Sequence, residues 1–167
     1  MRRFREAYNT EMSYQSLVKA MKLAPKCRFY TTAGGKSEEE IEKSERVLNI
    51  SFSNQHREFL SKYGYLSFAG NEIFGINPDD DSGILEGNSV AYAINDREEY
   101  HLPKEWIPIY NFEDGYMAYL DYSSLNVEKE PKVIMAFYDG AKYVIVETIA
   151  DDFGDFILQL VNGEIEG

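Results

Sequence analysis

Cysteine and histidine are scarce in this chain of 167 residues, and their scarcity excludes several kinds of site. Cys27 is the only cysteine, so no disulfide forms within the chain, and a buried structural thiol is its expected role. Two histidines, His56 and His101, are too few for a three-histidine zinc site. We expect His56, on an apolar helix stripe, to be a hydrogen-bonded core histidine. The sequence thus predicts no metal and no cofactor.

Long apolar runs are missing as well. The longest run falls far short of the roughly 18 residues that a membrane-spanning helix needs. The first residues, "MRRFREAYNTEM", begin basic, but acidic and polar residues interrupt any signal-peptide core. We therefore expect a cytoplasmic protein that makes no contact with membranes.

Basic side chains are outnumbered throughout the chain. Seventeen lysines and arginines face twenty-nine acidic residues, which gives a net charge of −12. Such a field repels nucleic acid and anionic lipid and attracts basic partners over about one Debye length. Acidity on this scale is also common in soluble proteins whose charge does not guide a partner to them. The charge therefore either attracts a basic partner or has no specific function, and both interpretations stay open. Direct binding of nucleic acid is not expected.

The first half of the chain predicts helices. The apolar stripe of a first short helix comprises Tyr14, Leu17, Val18 and Met21. Pro25 ends this helix, and "KCRFY" (26–30) is predicted as a brief strand. Ser37 and Glu40 form a capping box that begins the next helix. A further helix follows from about Ser53, with its buried stripe at His56, Phe59, Leu60 and Tyr63, and Gly64 ends it.

The second half predicts strands between two helices. "EIFGI" is a predicted strand in which Gly75 indicates a bulge or a close backbone approach. Residues 88–100 predict a helix with Val90, Ala93 and Ile94 facing inward. Four strands follow at "WIPIYN", "YMAYLDY", "KVIMAFY" and "KYVIVET". The last two form a hairpin at Asp139-Gly140, and Pro108 places its strand at a sheet edge or at the strand's start.

The closing segment predicts a helix that begins after Asp151 and Asp152 and ends at Gly163. Its apolar stripe is formed by Phe153, Phe156, Ile157, Leu160 and Val161. Helices first, then antiparallel strands, then a closing helix give an α+β plan, in one domain, with an antiparallel sheet flanked by helices.

Two loops imitate ligand sites and fail on spacing. Gly35-Lys36-Ser37 follows a predicted strand as a phosphate-binding loop would, but Tyr30 stands where the first glycine is required. The loop "NPDDDSG" fails as an EF-hand frame from Asn77, because Ser82 and Asn88 occupy its glycine and glutamate positions. No nucleophile elbow or assigned carboxylate pair indicates an enzyme.

An ordered set of residues carries a family resemblance. It comprises Ile41-x-x-x-Glu45-x-x-Leu48, His56-x-x-Phe59-Leu60, Tyr63-Gly64, "IFGI", Leu102-Pro103-x-x-Trp106-Ile107-Pro108-Ile109, Tyr119-Leu120-Asp121 and "IADDFGDFI". In this order and spacing, over about residues 36–161, the chain resembles the SUKH superfamily. Phe52, Ser53 and His56 stand where members usually have Leu-Pro and an aromatic residue, and Ser53 can serve there as a helix N-cap.

The resemblance implies an α+β domain that binds other proteins and performs no catalysis. Bacterial members are similar to immunity proteins that neutralise a cognate toxin, often a nuclease. Yeast members are similar to regulatory scaffolds that dock several partners, which is the alternative, and an enzyme acting on a small molecule comes third. We expect a single SUKH-like domain over residues 13–167. Residues 1–12 are expected to form an extension outside this domain, and whether it is ordered stays open. Whether translation begins at Met1 or at Met12 also stays open.

The predicted contacts with a basic protein toxin lie in two acidic turns. They are Asp79, Asp80 and Asp81 in one loop and Glu113, Asp114 and Tyr116 around the Glu113-Asp114-Gly115 turn. A nuclease holds phosphates in a positive site, so acidic and aromatic side chains are suited to occupy it. A solvated turn is the competing interpretation for each residue. Trp106, Ile107 and Ile109 are assigned to the core. The oligomeric state is left open.

Overall fold

The computed structural model describes residues 15–166, with the side chains of residues 15–164. Five α-helices lie within this range: α1 (15–23), α2 (Glu38–Leu48), α3 (Asn54–Lys62), α4 (Ser89–Tyr100) and α5 (Phe153–Glu166). Seven strands lie within it: β1 (Thr31–Thr32), β2 (Leu66–Phe68), β3 (Asn71–Ile73), β4 (Trp106–Glu113), β5 (Tyr116–Leu125), β6 (Pro131–Tyr138) and β7 (Tyr143–Ala150). The α+β class is thereby confirmed. The extension predicted over residues 1–12 lies outside the described residues.

Side-chain caps determine where the helices begin. The capping box at α2 is confirmed, since Ser37 Oγ accepts from Glu40 N at 3.1 Å and Glu40 Oε2 accepts from Ser37 N at 2.9 Å. Ser53 is the N-cap of α3, and its hydroxyl oxygen accepts a hydrogen bond from His56 N. Gly64 follows α3 with φ +70°, a conformation that glycine adopts without steric cost. These boundaries follow directly from short sequence patterns.

The four long strands form an antiparallel meander in the order β4-β5-β6-β7. Asp139 and Gly140 make the predicted β6–β7 turn, where Asp139 N donates to Lys142 O at 2.9 Å. Pro108 lies in β4, an edge strand of this sheet, as its missing N–H requires. Gly75 makes the predicted close approach, because a Cβ there would collide with the carbonyl oxygen of Gly64.

Both faces of this sheet are buried over much of β4, β5 and β6, whereas residues 145–148 of β7 are exposed. Trp106 and Tyr119 pack together on one face, which α4 borders, with ring centroids 5.2 Å apart. Ile107 and Leu120 point to the other face, where α5 packs against β6 and β7. Trp106 is 6% exposed, and Ile107 and Ile109 are 0% exposed, as predicted. Each fully buried Ile or Leu side chain contributes about 1.5–3 kcal/mol.

A second sheet was not foreseen as a separate unit. Three short antiparallel strands pair in the order β1-β2-β3. Strand β2, Leu66–Phe68, was missed because three residues are too few for an alternating pattern to emerge. The strand predicted over residues 26–30 is wrong: Ala24–Lys26 form a 3₁₀ turn, and β1 begins at Thr31. Pro25 favours that turn, and Cys27 N closes it on Ala24 O at 2.9 Å.

Three other local predictions are wrong. Val18 and Ile94 are 47% and 42% exposed, although both were assigned to buried stripes. On α4 the buried positions are Ser89, Val90, Ala93 and Asp96, and Ile94 lies beside this narrow stripe. Helix α5 passes through Gly163 to Glu166, because glycine costs a helix only about 1 kcal/mol relative to alanine. Cys27 is buried, as expected.

A buried polar cluster joins the N-terminus of α3 to two distant segments. Gln55 N donates to Glu130 Oε1 at 3.1 Å, and Gln55 Oε1 accepts from Gly154 N at 2.7 Å. His56 lies in the same turn, fully buried between Phe52 and Phe153. The expectation of a hydrogen-bonded histidine is wrong, because neither ring nitrogen has a partner among the described residues. One oxygen of Glu130 also lacks a partner there.

Burial shifts the pKa values of this cluster in opposite senses. It lowers the pKa of His56 from 6.5 to about 3, because the charged imidazolium is poorly solvated. It raises the pKa of Glu130 from 4.5 to about 7, with a smaller contribution from Asp152. Between pH 4.5 and 6.5 the unfolded chain therefore holds an extra proton on His56, and the folded chain holds one on Glu130. The two dependences on pH cancel in that interval.

We predict that His56→Leu and Glu130→Gln tilt stability in opposite directions between pH 4.5 and 6.5. With His56 removed, the Glu130 contribution remains, so the free energy of unfolding falls as pH rises. With Glu130 neutralised, the His56 contribution remains, so the free energy of unfolding rises with pH. Urea unfolding of wild type and both variants across this range measures the slopes. Parallel slopes in all three proteins would contradict the assignment.

Candidate protein-binding surface

The β4–β5 hairpin ends in an exposed acidic turn. Glu113, Asp114 and Gly115 all have positive φ, at 73°, 52° and 88°. Asn111 Oδ1 accepts from Glu113 N at 2.8 Å and holds the turn to the end of β4. Tyr116 is 38% exposed and packs on Phe137, with ring centroids 5.3 Å apart. The turn thus presents two carboxylates and a supported ring to solvent.

The loop that contains Asp79, Asp80 and Asp81 is exposed and closed at its base. Asn88 fastens this base, since its Oδ1 accepts from Asn77 N at 3.1 Å and its Nδ2 donates to Asn77 O at 2.9 Å. Asp79 forms an ion pair with Lys43 of α2. Asp80 accepts from Ser82 N at 3.0 Å, and this bond lowers its pKa. Asp80 therefore stays ionised, whereas part of the charge of Asp79 is balanced.

Two cavities connect these predicted turns. A small one of about 100 Å³ is lined by Gly70, Glu72, Phe74, Glu86, Asn111 and Glu113. A larger one of about 220 Å³ is lined by residues of the Asp80 loop, including Glu86. Because Glu86 lines both, Asp80 and Glu113 belong to one continuous surface. We call Glu72, Asp80, Glu86 and Glu113 the acidic face.

The structure brings only part of the predicted contact set to these cavities. Asp80 and Glu113 line them, whereas Asp79, Asp81, Asp114 and Tyr116 do not. Sequence reasoning missed Glu72 and Glu86, which lie in no acidic run. Glu72 sits within a predicted strand, and Glu86 stands alone beside Gly87. The proximity of these two carboxylates arises from the fold.

Negative charge accumulates on the acidic face. Burial raises the pKa of Glu72, and the negative charge of Glu86 raises it further. Burial, and to a smaller extent the negative charge of Glu72, raises the pKa of Tyr65 to about 12. Lys36 lines the larger cavity, and no lysine or arginine of the described residues lines the smaller one. A cationic group in the smaller cavity would relieve this repulsion.

The segments that imitate ligand sites have structural roles. Ser37 caps α2, and Gly35 lies against the backbone carbonyl of Ser61, where a Cβ would collide. The loop is therefore packed onto the end of α3. Among residues 15–166, no group of three His, Cys, Asp or Glu side chains could hold a metal ion. No helix in that range is long and apolar enough to cross a bilayer.

A groove of a different character lies between the end of α4 and strand β7. Its volume is about 300 Å³, and its lining includes Tyr100, Trp106, Tyr143 and Ile145 together with His101 and Lys142. Trp106 contacts Tyr143 edge to face, with centroids 5.9 Å apart. Ile145 is 51% exposed. The groove shares no lining residue with the two acidic cavities, so the domain carries two chemically distinct surfaces.

Residues 38–157 match the family SUKH_6, described as SMI1-KNR4 cell-wall. The chain belongs to this family. The match runs from the first residue of α2 into α5 and contains the whole acidic face. SUKH membership is consistent with an immunity-type or a regulatory role. No curated protein matches the chain.

We predict that Glu86→Gln lowers the pKa of Glu72. The neutral amide removes the nearby negative charge that disfavours ionisation of Glu72, whereas the contribution of burial remains. Carboxyl-carbon NMR titration measures the change. Glu147→Gln, at an exposed position on β7, removes the same charge elsewhere and serves as the control. A Glu72 titration that responds equally to both substitutions would show that Glu86 has no local effect.

Proposed function

We propose that this SUKH protein is an immunity protein that binds a basic protein toxin through its acidic face and performs no catalysis. The observation that carries the proposal is the convergence of Glu72, Asp80, Glu86 and Glu113 on two adjoining cavities. A toxin that acts on nucleic acid must hold phosphates in a positive site. The acidic face offers such a site carboxylates in place of phosphates.

Charge distribution supports fast encounter with a basic partner. Residues 38–167 contain 27 acidic and nine basic side chains, which is more acidic than the chain as a whole. Opposite potentials raise association rates by about 10–10³-fold at low salt. Electrostatics of this kind governs mainly how quickly partners meet and which partners are rejected.

Slow release requires buried anchors as well as charge. The smaller cavity has room for one side-chain terminus, and Phe74 lines it together with Glu72 and Glu113. An arginine or lysine of the toxin entering it would meet carboxylates and, at Phe74, apolar surface. Tyr116, supported by Phe137, adds a rigid ring beside the turn. Desolvated arginine and tyrosine contacts are frequent hot spots in protein interfaces.

The aromatic groove favours a second candidate function, a regulatory scaffold that docks several partners. This groove is lined mainly by aromatic and apolar side chains, whereas the acidic face consists of carboxylates, and the two share no lining residue. They therefore suit different partners. A scaffold of this kind would bind proteins through each surface without inhibiting either. The number of partners and their toxicity distinguish the two candidates.

We predict that Glu72→Gln, Glu86→Gln and Glu113→Gln together weaken binding to the protein encoded by the adjacent gene by about tenfold or more. The control variant is Glu98→Gln, Glu99→Gln and Glu147→Gln, which removes three exposed charges outside the acidic face. Surface plasmon resonance measures association and dissociation, and growth during co-expression measures protection. Association should slow steeply as salt rises.

Three outcomes would contradict this proposal. Equal binding at low and high salt would remove its electrostatic basis. Equal weakening by both triple variants would show that net charge, and not the acidic face, determines binding. Several co-purified partners, none of them toxic, would support the scaffold instead.

A further inference from the structure

Positive charge is concentrated at one end of this acidic chain. Between Glu11 and Glu38 there is no acidic residue, whereas this interval contains five cations, at Lys19, Lys22, Lys26, Arg28 and Lys36. The interval includes α1 and the 3₁₀ turn. The SUKH match begins only at residue 38, so the family does not account for this segment.

Four of these cations are exposed and lie close together along the chain, on α1 and in the turn that follows it. Val18, Lys19 and Lys22 share the outer side of α1, whereas Leu17, Ala20 and Met21 face the core. Lys26 and Arg28, which follow the helix, are exposed as well. We call Val18, Lys19, Lys22, Lys26, Arg28 and Phe29 the basic face. None of its cations forms an ion pair within residues 15–164.

Phe29 is unusual in both exposure and backbone conformation. Its side chain is 84% exposed, and its φ is +58°. A bulky residue in the left-handed region is strained, and glycine or asparagine is usual there. The Phe29 ring gains almost no packing within the described domain to offset that strain. A phenylalanine held in this way next to Arg28 suits a contact outside the domain.

We propose that the basic face docks the domain on an anionic lipid surface, with Phe29 entering the boundary between headgroups and acyl chains. Clustered cations on an amphipathic helix attract anionic headgroups, and an exposed aromatic ring inserts beneath those headgroups. The net charge of −12, from which repulsion of anionic lipid and no membrane contact were expected, opposes docking at long range. Salt screens charges beyond about 8 Å, so the cations at the contact determine binding at close range. This docking is independent of toxin binding.

Lipid fits this surface better than RNA does. Proteins that bind single-stranded RNA combine a row of cations with several rings on which successive bases stack. The basic face has one ring, and its other apolar side chain is Val18, which is 47% exposed and offers no stacking surface. An aliphatic side chain and a phenylalanine among cations match the apolar boundary beneath a charged headgroup layer.

The test is co-sedimentation of the full chain with vesicles of phosphatidylcholine containing about one-third phosphatidylglycerol. Each lysine near an anionic surface is worth about fivefold in partitioning, so Lys19→Gln, Lys22→Gln and Lys26→Gln together should reduce binding about a hundredfold. The control variant is Lys104→Gln, Lys129→Gln and Lys142→Gln, which removes three exposed lysines outside the basic face. It has the same net charge as the first triple variant, yet it should bind the vesicles as wild type does. Vesicles of phosphatidylcholine alone should not bind.

Phe29→Asn separates docking from folding. Asparagine tolerates a positive φ, so the variant should retain its melting temperature or gain a few degrees. It should nevertheless bind the anionic vesicles several-fold more weakly. The proposal is overturned if wild type does not bind these vesicles, if both triple variants lose binding equally, or if Phe29→Asn binds as well as wild type. Tighter binding to polyuridylate or polyglutamate than to vesicles would also overturn it.

Discussion

Burial of the β4–β5 pair on both faces is the constraint on which the rest of the fold depends. Trp106 and Tyr119 serve one face and Ile107 and Leu120 the other, so each face needs its own cover. Helix α5 and the buried side of α4 pack in the cluster of one face, and Tyr92 of α4 packs against the cluster of the other. Strand β3 then meets the edge of β4, where Phe74 N donates to Ile109 O at 2.9 Å. This junction sets Glu72 beside the β4–β5 turn, so the acidic face is a consequence of how the core is closed.

The two charged surfaces have different relations to the family fold. Every residue of the acidic face lies within the matched span, whereas every residue of the basic face precedes it. The acidic face is built from loops and strand ends on a well-packed framework, which is where protein-binding residues commonly lie. The basic face is the outer side of one helix and the turn after it. If both proposals hold, the domain binds a protein at the acidic face while the basic face contacts lipid.

Local patterns in the sequence predicted the elements that local forces determine. The capping box at Ser37, the turn at Asp139 and the apolar run that begins at Trp106 each depend on residues a few positions apart. The acidic face could be predicted only in part, through Asp80 and Glu113. Glu72 and Glu86 meet through tertiary packing, and neither stands in a pattern that marks it. Ile94 shows the same limit, because the narrow buried stripe of α4 is set by its neighbours and not by its own periodicity.

The bond from Gly154 N to Gln55 Oε1 joins positions 99 residues apart in the chain. Gln55 also reaches Glu130, so the N-terminus of α3 is completed only after the chain has been synthesised as far as α5. Contacts so distant in sequence slow folding, because the entropy of closing a long loop is lost before the contact forms. A nascent chain that has exposed α3 but not yet α5 therefore leaves Phe59 and His56 without their ring partner Phe153. Productive folding of this domain on the ribosome must wait for α5 to emerge.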